Sequence, residues 1–126
     1  MTVPRRKFSD GELETLRELA ILGVRSGTKH RYTAVWVVVL GRRVFARSWS
    51  DKPTGWYRAF RDHPQGSISL AKKSIPVRAA QTRSDRIRRA VSDAYAAKYD
   101  TKGSEKWVKG FAERQREATT VEFVRA

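Results

Sequence analysis

The chain has 126 residues, with 27 Lys and Arg against 13 Asp and Glu, a formal net charge of +14 and no Cys. A length of this order points to one domain, and 40% apolar with 10% aromatic residues supplies a core and sets aside wholesale disorder. The lack of Cys removes disulfides, thiolate metal sites and a thiol nucleophile. The longest apolar run, Ala34 to Leu40, is far short of the roughly 20 residues that span a bilayer. No apolar segment follows the basic N-terminus, so no signal peptide is expected, and the chain reads as cytoplasmic, without a membrane partner.

Residues 1–7 read as a flexible basic arm and 8–126 as one domain. Ser9 with Glu12 has the spacing of a capping box, and Phe8 with Leu13 that of a hydrophobic staple, so a helix is expected from Asp10 to Glu18. Leu19 to Arg25 reads as a strand, and Ser26-Gly27-Thr28-Lys29 as a turn. Tyr32 to Leu40 is β-branched and aromatic without polar alternation, a strand buried on both faces, in a barrel or against a second subunit. Gly41-Arg42 turns the chain into a return strand, Arg43 to Ser48. Ser50 to Gly55 is a loop, and Trp56 to Asp62 a short helix stopped by His63-Pro64. Ser67 to Ala71 and Ile75 to Thr82 are strands joined by a turn at Lys72-Lys73-Ser74. Ser84 caps a helix with an apolar stripe of Ile87, Ala90, Val91, Ala94 and Tyr95, ended by Asp100 to Gly103. A shorter helix follows over Glu105 to Glu113, then a last strand, Thr119 to Val124. Six strands and three or four helices in this order give an α+β fold with antiparallel hairpins.

The charge is not evenly spread. Residues 19–84 hold thirteen basic side chains and two acidic ones, Asp51 and Asp62, so any anion site belongs to the middle of the chain. Solvated strand edges that resist aggregation are the plain alternative for individual Lys and Arg residues. The two His, His30 and His63, have neither a triad arrangement nor metal-ligand spacing, so no catalytic residue and no metal site are assigned.

The most distinctive segment runs from Arg47 to Arg58. Arg47 and Lys52 are placed to neutralise a phosphate. Ser48, Ser50 and Thr54 are hydrogen-bond donors, and the following helix start offers backbone N–H groups. Trp49, Trp56 and Tyr57 are suited to stack on a flat ring. The competing reading makes Trp56, Tyr57 and Phe60 the core face of an amphipathic helix.

Val44-Phe45-Ala46-Arg47-Ser48, the Ser-x-Lys loop, and Gly55-Trp56-Tyr57-Arg58-Ala59-Phe60-Arg61-Asp62-His63-Pro64 together resemble the split β-barrel superfamily. That superfamily includes pyridoxamine-phosphate-oxidase-like flavoproteins and deazaflavin-dependent nitroreductases. Arg58-Ala59-Phe60 departs from the Asn-Leu pattern of the deazaflavin branch, and Gly23 to Arg31 resembles its Gly-Arg-x-Ser-Gly hairpin in altered form. Over residues 8–125 the chain is most similar to a family of uncharacterised bacterial proteins placed in that superfamily.

The resemblance implies a six-stranded antiparallel split β-barrel with flanking helices, assembled as a homodimer. FMN or a deazaflavin would lie in the dimer cleft, its phosphate held by the segment Arg47 to Lys52, with the hairpin Arg25 to Arg31 facing the same cleft. The strand Val35 to Leu40 would fill the barrel with one face and the dimer interface with the other. The expected site is therefore Arg25, Lys29, Arg31, Arg47, Ser48, Trp49, Ser50, Lys52, Trp56 and Tyr57. The function implied is that of a flavin- or deazaflavin-binding, oxidoreductase-like protein. A cofactor-free module that binds nucleic acid or another polyanion is the competing reading, carried by the charge and the interleaved aromatics.

Overall fold

The computed structural model of the chain describes residues 7–29, 31–50 and 52–126. Helix α1 (Asp10–Glu18) starts where the capping-box spacing puts it. The Glu12 N–H donates to Ser9 Oγ at 3.1 Å, and the Ser9 N–H donates to the Glu12 carboxylate at 2.8 Å. Leu13 and Leu16, one turn apart, are buried together with Phe8.

Strands β1 (Leu22–Ser26), β2 (Thr33–Val35), β3 (Val37–Leu40) and β4 (Arg43–Ala46) precede α2 (Trp56–Asp62). Then come β5 (Gln65–Leu70), β6 (Lys73–Gln81), α3 (Asp85–Lys98), α4 (Glu105–Phe111), α5 (Arg114–Glu117) and β7 (Val121–Arg125). All pairings are antiparallel, in the order β2-β1-β5-β6-β7-β4-β3. The described residues thus form an α+β fold of seven strands and five helices, with a nearly closed, barrel-shaped sheet.

The seventh strand corrects the expected six, for a physical reason. The two edge strands, β2 and β3, are halves of one extended segment with only Trp36 between them. Val35 still pairs with Leu22 of β1, whereas Val37 pairs with Ala46 of β4. The side chains keep alternating across the junction, so nothing in the apolar pattern marks it. The partner switch at Trp36 is what brings the sheet's two edges together.

The expectation that one face of this segment meets a second subunit is also corrected. Val35, Val37 and Val39 face the barrel core with Leu13, Leu16, Phe60 and Phe123. Trp36, Val38 and Leu40 face a second core made by Phe45, Val91, Tyr95, Tyr99 and Phe111. The other face is therefore covered by the chain's own α3 and α4.

Three polar side chains at the C-terminal end of α3, Tyr95, Lys98 and the capping residue Tyr99, tie that second core to the strands. The Tyr95 hydroxyl donates to the Trp36 carbonyl at 2.7 Å and accepts the Arg47 N–H at 3.0 Å. The Tyr99 hydroxyl donates to the Ala20 carbonyl at 2.7 Å and accepts the Val37 N–H at 3.2 Å. The Lys98 ammonium donates to the carbonyls of Leu16, at 3.0 Å, and Val37, at 2.6 Å. Burial pushes the Lys98 amine down to about 8 and the Tyr99 phenol up to about 12.

Smaller boundary differences have local causes. The helix expected over Glu105 to Glu113 ends at Phe111, and α5 follows as a separate turn. The β5–β6 loop is Ala71-Lys72 rather than Lys72-Lys73-Ser74, because Leu70 pairs directly with Lys73. Both loop residues have positive φ, 50° and 66°, as a two-residue type I′ hairpin demands. Most of the basic arm, residues 1–6, lies outside the described residues, as do His30 and Asp51.

Candidate functional site

Where the sheet closes, the chain leaves a cleft of about 650 Å³. Thr33 to Trp36 form one side of it. Arg47 to Ser50 and Lys52 with Thr54 to Trp56 continue the wall, and Trp107 and Phe111 of α4 complete it. All four tryptophans of the chain, Trp36, Trp49, Trp56 and Trp107, line this one space. Among the described residues no carboxylate lines it.

The aromatic side is built as a chain of contacts. Trp36 stacks flat on Tyr99, with centroids 4.0 Å apart and planes within 4°, and stands 5.9 Å from Phe111. Phe111 meets Trp49 edge to face at 5.5 Å, and Trp49 meets Trp107 at 4.9 Å. Trp56 belongs instead to the barrel core, 6.3 Å from Phe60 and 6.2 Å from Phe123. The indoles therefore wall the cleft from two separate supports.

Trp49 is held with particular care. The Arg116 guanidinium lies 3.6 Å from its ring centroid and donates through Nε to the Trp49 carbonyl at 2.9 Å. Arg116 also pairs with Glu113 at 2.9 Å. A Cβ at Gly110 would overlap Cη2 and Cζ3 of the indole, so the lack of a side chain there is what lets Trp49 lie against α4.

Arg47 lies at the cleft wall, but its guanidinium is engaged inside the protein. Nε donates to Thr120 Oγ1 at 2.7 Å; Nη1 donates to Ser92 Oγ at 2.7 Å and to the Phe111 carbonyl at 2.9 Å; Nη2 donates to the Arg88 carbonyl. The residue is 1% exposed, and burial holds its pKa below the usual arginine value. The geometry gives Arg47 the task of fixing α3, α4 and the entry to β7 around the cleft, in place of the phosphate contact expected from sequence.

Ser48 and Ser50 build the loop in a similar way. The Ser48 hydroxyl donates to the Ser50 carbonyl and accepts the Ser50 N–H at 3.3 Å, while Ser50 Oγ accepts the Lys52 N–H at 3.3 Å. Ser48 is buried, with its own N–H donating to Thr119 Oγ1 at 2.9 Å. Trp49, Ser50 and Lys52 are exposed at the mouth.

The other expected residues separate from this group. Lys29 is exposed and lines a neighbouring cleft of about 660 Å³ with Gly27, Thr28 and His63, which meets the first at Thr54 and Gly55. Arg25 lies on the outer face of β1, its guanidinium 4.5 Å from the Tyr32 ring. Arg31 is exposed ahead of β2. Tyr57 is buried in the barrel core and donates to Gln81 Oε1 at 2.7 Å, so the core-face reading of this position holds. Sequence reasoning missed Thr33, Ala34, Trp107, Phe111 and Arg116. An available signal was the spacing of Trp107 and Phe111, which puts both rings on one face of α4.

Among the described residues no group of His, Asp or Glu is placed to hold a metal ion, and no helix is long and apolar enough to cross a membrane.

Fold and cleft together define a class: an α+β protein whose nearly closed antiparallel sheet carries an aromatic, ligand-sized cleft at its point of closure. The chain belongs to a family described as an uncharacterized protein conserved in bacteria (DUF2255), which matches residues 11–123. No curated protein is significantly similar to it. Two solved structures share its fold. A conserved hypothetical protein of Mycobacterium tuberculosis is 14% identical with a TM-score of 0.58, over 98% of this chain and 85% of that one. An FAD-binding protein of Mesorhizobium loti is 13% identical with a TM-score of 0.54, over 95% of this chain and 90% of that one.

Proposed function

We propose that the cleft binds a flavin-type ring and that the protein is an oxidoreductase-like member of the split β-barrel superfamily. The observation that carries this reading is the gathering of all four indoles around one cleft with Lys52 at its mouth. The fold shared with an FAD-binding protein supports it. A flat conjugated ring gains from stacking on indoles, and the exposed Lys52 at the mouth suits an anionic ligand.

The chain's residues fit such a ring in defined ways. Trp36, Trp49 and Trp107 offer faces and edges, and Trp56 closes the space from the barrel side. Lys52 is the exposed cation for a phosphate, and Ser50 and Thr54 the exposed hydroxyls beside it. Arg47 holds the frame. A bound flavin, FMN or its deazaflavin counterpart, would supply the hydride chemistry. A homodimer with the ring between subunits is part of the proposal.

Titration of the protein with FMN, FAD and a deazaflavin, followed by flavin and indole fluorescence, tests it. Mutual quenching with a saturable, micromolar transition is expected for at least one of them. No binding by any of the three at high micromolar concentration rejects the reading. Size-exclusion chromatography with light scattering reads the dimer, at about twice the 14.4 kDa chain mass.

A further inference from the structure

Three of the four large hydrophobic side chains left exposed among the described residues are aromatic: Tyr32, Trp49 and Trp107. Each has a cation against its ring. Arg25 lies 4.5 Å from the Tyr32 centroid, Arg116 3.6 Å from that of Trp49, and the Lys106 ammonium 5.1 Å from that of Trp107. Trp49 and Trp107 are 38% and 42% exposed and touch each other at the rim of the cleft. Lys106 and Lys109 flank Trp107 on α4, and Lys52 stands at the mouth; all three are exposed.

Exposed indoles cost free energy in water unless a partner covers them, and the exposed ammonium groups of Lys52, Lys106 and Lys109 around them select an anionic partner. An apolar protein surface would leave these cations desolvated. A folded acidic protein would meet the charges but not the ring faces. A chain that carries one flat π-system and one negative charge per repeating unit meets both. We propose that this rim binds single-stranded nucleic acid, with unpaired bases stacked on Trp107 and Trp49 and phosphates drawn to Lys52, Lys106 and Lys109. Paired bases keep their faces inside the duplex, and α4, with seven residues, is a poor recognition helix, so duplexes are the weaker ligand. The rim shares Trp49, Trp107 and Lys52 with the proposed ring site, so the two ligands would compete there, while Lys106 and Lys109 take this reading beyond a ring ligand.

The test is fluorescence anisotropy with a labelled fifteen-nucleotide single strand, as DNA and as RNA, and with the matching duplex. At 50 mM salt the single strand is expected to bind about tenfold more tightly than the duplex. Its affinity should fall with a log–log salt slope of about −2, as three phosphate contacts require. Trp107→Ala removes an exposed ring, so the far-UV spectrum should be unchanged while single-strand affinity falls about tenfold. Lys106→Glu should weaken binding more than Arg78→Glu, since Arg78 lies on β6 outside the cleft. Duplex binding as tight as single-strand binding, an unaffected Trp107→Ala variant, or equal losses from the two charge reversals would overturn the proposal. So would an anisotropy that stays flat at 50 mM salt.

Discussion

A buried arginine can serve a ligand or the fold, and Arg47 shows how geometry separates the two. Its guanidinium donates to Thr120, Ser92 and the carbonyls of Phe111 and Arg88, from three different elements. Truncation leaves those acceptors buried without donors, so Arg47→Ala should cost about 3 kcal/mol in chemical denaturation. Arg47→Lys should not rescue it, because a point charge cannot replace the planar fork. Lys52→Ala, at an exposed position, should change stability by less than about 0.5 kcal/mol and weaken a phosphate-bearing ligand instead. An unchanged unfolding midpoint for Arg47→Ala would return that residue to the ligand side. Gly110 is the second such position. Gly110→Ala drives a methyl group into the Trp49 indole, so a loss of about 1–3 kcal/mol and a red-shifted tryptophan emission are expected.

At the scale of elements, the β5–β6 hairpin contains an unforced cost. Ala71 and Lys72 both occupy the left-handed region, at φ 50° and 66°, where a Cβ crowds the backbone. The double variant Ala71→Asn with Lys72→Gly should therefore stabilise the protein by about 1 kcal/mol. Thermal unfolding reads this directly, and a lower midpoint would refute it. The same loop shows why register is hard to read ahead of structure. Lys72-Lys73-Ser74 has the polar look of a turn, yet pairing of Leu70 with Lys73 moves the turn back by one residue. Helices fared differently. The bounds of α1 and α2 are those expected, since the capping box at Ser9 and the stop at His63-Pro64 are local chemistry.

At the scale of the whole molecule, two side chains of α3 and its C-cap residue Tyr99 couple stability to pH. Lys98 has a folded pKa of about 8 against an ordinary value of 10.5, because burial disfavours its charge. Between these values the unfolded chain holds more protons, so stability should rise as pH increases from about 8 towards 10. Tyr99 works in the opposite sense. Its folded value of about 12 lies above the ordinary 10.0, and burial raises Tyr95 as well. The unfolded chain therefore loses protons first, and stability should fall above pH 10. Melting curves from pH 7 to 11 should pass through a maximum near pH 10. Lys98→Met should flatten the rising limb relative to the parent chain and leave the falling limb in place; a parallel pair of curves would refute the Lys98 assignment.

The amino-acid sequence by itself determined the α+β composition, the helix limits set by local caps, the basic middle of the chain and the segment Arg47 to Arg58 as a site candidate. These follow from interactions between residues close along the chain, or from composition. Only the tertiary structure decided that Tyr32 to Leu40 serves as two edge strands, because alternation is unbroken where the pairing partner changes at Trp36. It also decided that α3 and α4 cover that segment's second face, and that Arg47 is consumed by acceptors 41 to 73 residues away. The gathering of Trp36, Trp49, Trp56 and Trp107 around one cleft is of the same kind. Their nearness comes from the closure of the sheet and the docking of α4, which no local pattern encodes.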